Sequence, residues 1–278
     1  GNLYIAGTET DAVHGSSALD WSLRKLTAAG GELWRIHRDG NNGNDYTNSI
    51  ALDSTGAIYV AGSGYNLTGT GTRDDWCIRK FNTDGTDIAG WYRFWDGAAG
   101  EDYINEIAVD SNDNIYLAGC GQNLITPSSK QDWWIMKLSP DGTILWERTF
   151  DGNSGDDYAN AITIDAQDNI YVIGNGENIV SNNSLADWWI RKLDKDGTTI
   201  WQKTYDGNNG NDYLNAAAID SKGYLYVAGA GYVLIDGSSN YDWWIEKLDC
   251  AGDHATVSVY TKRFDGANDE DYANAIAI

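Results

Sequence analysis

One acidic loop is repeated five times along this chain. The residues DGNNGNDY stand at 39–46 and again at 206–213, and near-copies stand at 96–103, 151–158 and 265–272. Their carboxylate and amide oxygens suit a hard cation such as Ca²⁺, although the spacing is not that of an EF-hand loop. The interpretation that the sequence favours is that the same aspartates cap backbone N–H groups in a tight crossover between strands. The sequence leaves both interpretations open and predicts no other cofactor.

A second motif places aromatic residues after an aspartate in every repeat, and in three repeats as the pair DWWI. Tryptophan rings beside asparagine amides are suitable partners for carbohydrate. The alternative is that both rings of a pair pack between neighbouring sheets, because successive residues of a strand face opposite sides. The candidate ligand contacts are Trp76, Trp133, Trp188 and Trp243, together with Asn66, Asn123 and Asn178 in the preceding loops.

The charge and the other reactive residues exclude several classes of protein. A formal net charge of −22 leaves no basic face for nucleic acid. No apolar run is long enough to insert into a membrane. His14, His37 and His254 fall at different repeat positions and form neither a catalytic triad nor a set of metal ligands. With the candidate carboxylates alike in every repeat, the sequence predicts a protein that is not an enzyme.

The motifs recur with a period of about 55 residues, and each period predicts four short strands. The four runs are rich in β-branched and aromatic residues, end at Gly, Asp or Asn, and lack a helical stripe. We name them strands A (NAIAI), B (IYVAG), C (DWWI followed by K-L) and D (the run with a single tryptophan). Four-stranded antiparallel sheets repeated five times are typical of an all-β, five-bladed β-propeller.

The two ends of the sequence predict how such a ring would close. The sequence opens in a strand B and finishes on NAIAI at 274–278, which is a strand A. Pairing of this inner strand with the N-terminal strands would leave no open edge and would make residues 1–278 a single propeller domain. The last aspartate of each acidic loop would then begin an inner strand and face the mouth of the central channel; these are Asp45, Asp102, Asp157, Asp212 and Asp271.

The loops on one face of this predicted propeller carry the candidate site residues. The B–C and D–A connections share that face because strands alternate in direction. The B–C loops keep one length in all five repeats while their sequences diverge. A constant frame with varied tips is typical of recognition loops, and relaxed drift after duplication would give the same pattern.

The stretch DWWIRKLDKDGTTIWQKTYDGNNGNDYLNAAAIDSKGYLYVAG at 187–229 resembles the SBBP-type bacterial β-propeller repeat. Units of that family similarly join a K-L-x-x-D-G turn, an inner strand of the form G-x-D-x-x-x-A-I-A-x-D and a second strand of the form Y-V-x-G. The resemblance extends over essentially the whole sequence. It implies a propeller of the kind found in secreted or surface bacterial proteins, and it transfers no catalytic residue.

Two functions of different classes follow from these observations. The first is a secreted or cell-surface module that binds glycan or polysaccharide at several loop sites, where avidity would supply the useful strength. The alternative is a structural scaffold that contacts a protein partner or a larger extracellular assembly. Ca²⁺ stays open as a cofactor of the acidic loops.

Overall fold

The computed structural model describes most of the chain and consists of β-strands joined by turns and loops. The described residues are 1–10, 18–40, 43–67, 69, 73–98, 100–125, 130–153, 155–181, 185–207, 210–235, 240–250, 257–266 and 269–278. Much of the B–C loops, including His14, and the extended turn at 251–256, including His254, lie outside these ranges. Within them, no helix is long and apolar enough to cross a membrane.

The described residues form nineteen strands, all seven to nine residues long. They are β1 (Leu3–Thr10), β2 (Leu19–Leu26), β3 (Glu32–Arg38), β4 (Asp45–Leu52), β5 (Ile58–Tyr65), β6 (Asp74–Phe81), β7 (Asp87–Trp95), β8 (Tyr103–Val109), β9 (Ile115–Gln122), β10 (Gln131–Leu138), β11 (Ile144–Phe150), β12 (Asp157–Ile164), β13 (Ile170–Glu177), β14 (Ala186–Leu193), β15 (Thr199–Tyr205), β16 (Asp212–Ile219), β17 (Tyr224–Tyr232), β18 (Tyr241–Asp249) and β19 (Val257–Phe264).

The strands form five antiparallel sheets in the order in which they follow one another along the chain. The sheets are β1-β2-β3, β4-β5-β6-β7, β8-β9-β10-β11, β12-β13-β14-β15 and β16-β17-β18-β19. This confirms the all-β class and the repeated antiparallel sheet. The predicted closing strand is not observed. Residues 274–278 form no strand, so the first sheet contains three strands rather than four. The number of blades and the closure of the ring stay predictions.

Contacts divide the chain into two compact units. The first comprises Gly1–Leu124 and Met136–Leu145, and the second comprises Ile125–Ile135 and Trp146–Ile278. Each unit has its own core of apolar side chains from neighbouring sheets. In the first unit one cluster contains Trp21, Leu23, Ile58, Val60, Cys77 and Phe81. In the second, a cluster contains Trp188, Ile190, Leu214, Val227, Trp244 and Leu248, among others.

Both faces of strand B are buried in the second, third and fourth sheets, which explains its continuous apolar sequence there. Strands β5, β9 and β13 are buried at seven of their eight residues. The glycine near the middle of strand B is required by a close approach to strand A. A Cβ at this position would lie 1.9–2.0 Å from a tyrosine carbonyl oxygen of strand A, which applies to Gly62, Gly119, Gly174 and Gly229.

Strand A carries a β-bulge opposite that glycine, and the residue left out of the pairing is an asparagine. The pairing skips Asn48, Asn105, Asn160 and Asn215. A bulged residue is left out of the pairing between its strand and the neighbouring strand, so its side chain can contact another part of the protein. Asn48 Nδ2 donates to the Ile104 carbonyl at 2.7 Å, and Asn160 Nδ2 donates to the Leu214 carbonyl at 2.9 Å. The bulge therefore links the inner strands β4 and β12 to the next sheet of the same unit.

Candidate ligand-binding site

The aspartates of the acidic loops are gathered into groups of three. Each aspartate triad joins the aspartate before the strand C tryptophan to the first and last aspartates of the following acidic loop. One carboxylate oxygen from each member lies within 4.8 Å of the other two. The triads are Asp20/Asp39/Asp45, Asp75/Asp96/Asp102, Asp132/Asp151/Asp157 and Asp187/Asp206/Asp212.

The last aspartate of each loop caps backbone N–H groups, as one of the two interpretations predicted. Asp157 accepts hydrogen bonds from the amides of Gly152 at 2.5 Å and Glu177 at 3.0 Å. Asp102 makes the same pair with Gly97 at 2.6 Å and Gln122 at 3.0 Å. The loop thus folds back on the carboxylate, which joins the D–A loop to the end of strand B.

This capping corrects the expected exposure of the inner-strand aspartates. Asp45, Asp102, Asp157 and Asp212 are at most 1% exposed, so they do not form an open ring of carboxylates. Their side chains turn inward because the loop and strand B offer two amides there. Asp271 is half-buried and accepts from the Gly266 amide at 2.5 Å.

Burial changes the acid–base behaviour of these carboxyl groups. Removal from water raises the pKa of Asp45 to about 6, of Asp102 and Asp212 to about 7, and of Asp157 to about 8. The neighbouring aspartates of each triad raise these pKa values further, whereas the backbone N–H donors lower them. Three such carboxylates are compatible with one shared proton or with a hard cation.

The recurrent loop asparagines occupy one unusual backbone conformation. Asn66, Asn123 and Asn178 have φ values of 52°, 63° and 60°. Asparagine tolerates this left-handed region better than other residues with a Cβ, because its short side chain bonds locally. The turn therefore explains why asparagine recurs here, and the predicted role of these residues in ligand binding is not needed to account for it.

The strand C tryptophans are placed in the core rather than at a ligand, with one exception. Trp76, Trp133 and Trp188 are 0% exposed, and each indole N–H donates to a strand B carbonyl of the next sheet in its own unit. The expectation that these rings offer an edge to a sugar is corrected, because both faces of the sheet are covered. Trp243 is 42% exposed and lines a cavity of about 230 Å³ with Phe264 and Asp271.

The second unit contains a polar cavity of about 360 Å³ that the sequence motifs did not indicate. We call it the tyrosine pocket. Two inner-strand tyrosines line it, surrounded by amides and carboxylates. Its lining residues are Asp156, Tyr158, Asn160, Asn175, Glu177, Ala186, Asn211 and Tyr213.

Hydrogen bonds hold the polar side chains of the tyrosine pocket in place. Asn160 Nδ2 donates to Asn175 Oδ1 at 2.9 Å, and Asn175 is 4% exposed. The Ala186 amide donates to Asn211 Oδ1 at 3.1 Å. The Asp156 amide donates to Glu177 Oε2 at 3.3 Å. The pocket is therefore a preorganised set of polar groups between two aromatic residues.

Repetition on strand A was the signal that could have identified this pocket. Every repeat has a tyrosine followed two residues later by an asparagine, at Tyr46/Asn48, Tyr103/Asn105, Tyr158/Asn160, Tyr213/Asn215 and Tyr272/Asn274. The residues around them differ between repeats. Position 156 is Asp, but its counterparts are Asn44, Glu101, Asn211 and Glu270.

The first unit contains a carboxyl group that repetition does not explain. Asp74 stands where the other repeats have Leu, Gln, Ala or Tyr. Burial raises its pKa to about 6, and the nearby Glu101 adds to the effect. Tyr103 Oη donates to Glu101 Oε2 at 3.1 Å. The carboxylates of the loop face are thus less uniform than the sequence indicated.

Comparison with known proteins supports the repeat. The SBBP beta-propeller repeat family matches residues 97–123, which confirms the resemblance found in the sequence. A search of the curated proteins found no match.

Two solved structures are similar to this chain at low sequence identity. A protein of unknown function from Bacteroides caccae is 12% identical, with a TM-score of 0.54 over 92% of this chain and 81% of that one. An exo-1,5-alpha-L-arabinanase from a bovine ruminal metagenomic library is also 12% identical, with a TM-score of 0.40 over 85% of this chain and 82% of that one. The first shares the fold of this chain and indicates nothing about activity.

Proposed function

We propose that this protein is a non-catalytic binding module that recognises glycan or polysaccharide through its loop face. The tyrosine pocket carries this proposal. Its volume of about 360 Å³ falls within the usual range of small-ligand sites, about 300–1,000 Å³. Its lining combines aromatic rings with fixed amides and carboxylates.

This combination suits the two kinds of surface that a sugar ring presents. The C–H groups of a sugar pack against aromatic rings, such as those of Tyr158 and Tyr213. Sugar hydroxyls both donate and accept hydrogen bonds, and asparagine amides can do the same. Because Asn160 and Asn211 are already held by hydrogen bonds, little side-chain entropy is lost on binding.

The repeat extends the proposal from one pocket to several related sites. The tyrosine and asparagine of strand A are constant, whereas the residues beside them vary between repeats. We propose that this constant base with a variable rim gives weak related sites that act together through avidity.

The experiment that tests this function is a glycan array probed with the labelled protein, in parallel buffers with Ca²⁺ and with EDTA. We expect reproducible binding to a related set of glycans. Loss of binding in EDTA would support Ca²⁺ at the loops. A blank array in both buffers would contradict the glycan proposal.

The non-catalytic part of the proposal has its own test. Glycans selected on the array are incubated with the protein, and new reducing ends are measured. We expect none. If the protein releases reducing ends and Asp74→Asn abolishes this release, the non-catalytic assignment is overturned. Asp74 is chosen because this carboxyl group lies near Glu101 and has no counterpart in the other repeats.

We further propose that the sheets form a single five-bladed domain, closed by residues 274–278 as the inner strand of the first sheet. In the second unit Asn215 Nδ2 donates to the Ala273 carbonyl at 3.1 Å, as Asn160 does to Leu214. This shared hydrogen bond supports the proposal that the C-terminal segment is an inner strand. No described heavy atom lies within 4 Å of a Cβ built on Gly7, the counterpart of Gly62. That space suits an inner strand.

A scaffold that binds a protein partner is the second candidate function. The outer strand β19 favours it, because Val259, Tyr260 and Phe264 are 41–50% exposed. Exposed apolar side chains grouped on one strand are typical of contact surfaces. A blank glycan array together with a protein captured through β19, and lost on Tyr260→Ser, would favour this candidate. For either function we propose a secreted or cell-surface location in a bacterium.

A further inference from the structure

We propose that the tyrosine pocket selects sugars that carry a free ammonium group, that is, amino sugars without an N-acetyl group. This inference rests on the proposed glycan-binding function and specifies its substrate class. The tyrosines and asparagines would bind the sugar body, and Asp156 and Glu177 would bind the ammonium group.

An ammonium group of the protein itself already occupies the edge of this site. Lys130 Nζ lies 2.7 Å from Asp156 Oδ2 and 4.0 Å from Glu177 Oε2. The lysine side chain is 39% exposed, so solvent reaches this edge of the site. Its position shows where a ligand ammonium would find both carboxylates.

The charge of the pocket favours a cation over a neutral or acidic ligand. Its described lining contains two carboxylates and no basic side chain. Lys130 supplies one positive charge against these two negative charges, and the chain as a whole carries −22. A uronic acid would be repelled by this field, whereas an ammonium group would be attracted to it.

The aromatic residues of the pocket also favour a cationic ligand. Tyr158 and Tyr213 line the pocket beside the carboxylates. The face of a tyrosine ring attracts a cation through its quadrupole, and this attraction strengthens when water is excluded. An N-acetyl group removes the charge and thereby both interactions.

Hydrogen bonds of Asp156 fix the positions of the Asp156 and Glu177 carboxylates. Its Oδ1 accepts from the Gln131 amide at 3.0 Å, which leaves Oδ2 directed at Lys130. Its own amide donates to Glu177 Oε2, so the two acidic residues are held together. An ammonium group with three donors matches such a pair.

The test uses three uncharged or singly charged monosaccharides, so that general attraction of a polycation to an acidic protein does not interfere. Methyl glucosaminide, methyl N-acetylglucosaminide and methyl glucoside are titrated at pH 6.5 and 0.15 M salt, with binding followed by two-dimensional NMR. We expect the glucosaminide to bind at least about tenfold more tightly than the other two.

Three variants locate the effect. Glu177→Gln should abolish the preference for glucosaminide while retaining the bond from the Asp156 amide. Asp196→Asn changes the net charge equally at a turn position whose side chain is 70% exposed and should leave the preference unchanged. Lys130→Met should tighten glucosaminide binding severalfold, because it removes the competing ammonium. Tryptophan fluorescence confirms that each variant is folded.

The outcomes separate this inference from the proposed function. Equal binding of all three sugars would overturn the ammonium preference and leave glycan binding standing. Binding of none of them would overturn both. A glucosaminide preference that survives Glu177→Gln would place the ammonium elsewhere and overturn the assignment to this pocket.

Discussion

The aspartate triads are the residues with the most unusual electrostatics in the protein. In a metal-free solution, burial raises the pKa of Asp157 to about 8 and that of Asp102 and Asp212 to about 7. These groups act as coupled sets, so each triad rather than one residue holds the proton. Their chemistry determines how stability depends on pH.

We predict that the metal-free protein becomes less stable as pH rises from 5 to 8.5. The folded pKa values lie above the unfolded value near 4, so the folded state binds more protons in this window, and the free energy of unfolding falls as they are released. The melting midpoint in EDTA should fall by about 2–4 °C for each kcal/mol lost at this chain length. A midpoint independent of pH would contradict the buried triads.

Ca²⁺ and one substitution refine this measurement. If the cation binds a triad, it should restore the midpoint at pH 8.5, because it replaces the missing proton. Asp151→Asn removes one charge beside Asp157 and should reduce both the pH dependence and any effect of Ca²⁺. The control is Asp196→Asn, whose side chain is 70% exposed in a turn that belongs to no triad. No rescue by Ca²⁺ would refute the calcium expectation.

A second residue-scale prediction concerns Val233, which has a φ of 53°. It occupies the turn position held by Asn66, Asn123 and Asn178 in other repeats, and a β-branched residue is strained there. Val233→Asn should raise the free energy of unfolding by about 1 kcal/mol, measured by chemical denaturation. Val180→Asn changes an exposed valine without a positive φ and should give no such gain. Equal effects of the two substitutions would refute strain at Val233.

At the scale of elements, the strand C tryptophan joins neighbouring sheets. Trp188 Nε1 donates to the Ala230 carbonyl at 3.3 Å, and its ring stacks on Trp244 at 4.1 Å between centroids. Trp188→Phe removes that hydrogen bond and opens a small cavity, so it should destabilise the protein by about 2–4 kcal/mol in a denaturant titration. Tyr260→Phe, at an exposed position of β19, should cost less than about 0.5 kcal/mol. A free energy of unfolding that is almost unchanged in Trp188→Phe would contradict a role of Trp188 in joining the sheets.

The strands and their grouping could be predicted from the sequence because they depend on local pattern and period. Apolar runs bounded by Gly and Asp give strand B, and repetition gives the sheets. The position of side chains could not be predicted in the same way. A bulge at Asn160 determines which groups face the tyrosine pocket, and a bulge has no clear signal of its own.

The site residues show the same limit. Trp133 and Asp157 recur because they pack and cap inside the fold, so recurrence alone selected structural residues. Asp74 and Glu177 differ between repeats, and their surroundings depend on contacts from distant parts of the chain. Residues that differ between repeats at one repeat position were therefore a better indicator of a candidate site than residues that recur.

At the scale of the whole molecule, ring closure makes a prediction about the two ends. The pairs Ile50/Val60 and Ile162/Val172 place the strand A isoleucine opposite strand B, and the same register would place Ile276 opposite Ile5. Ile5→Cys with Ile276→Cys should form an intramolecular disulfide under mild oxidation, measured by mass spectrometry.

The matched control is Ile5→Cys with Ile278→Cys, which shifts the second thiol by two residues on the same face. It should cross-link much less, because diagonal neighbours on a sheet are farther apart than directly opposed residues. Free thiols in the first variant, or only intermolecular dimers, would contradict closure by residues 274–278.

Calorimetric titration of the array-selected oligosaccharide measures directly whether the tyrosine pocket binds glycan. Tyr158→Ala with Tyr213→Ala should weaken binding at least about tenfold, because both rings that line the sugar site are removed. Tyr260→Ala, on the outer strand, should bind as the unaltered protein does. Undiminished binding by the double variant would place the glycan elsewhere on the protein and contradict binding by the tyrosine pocket.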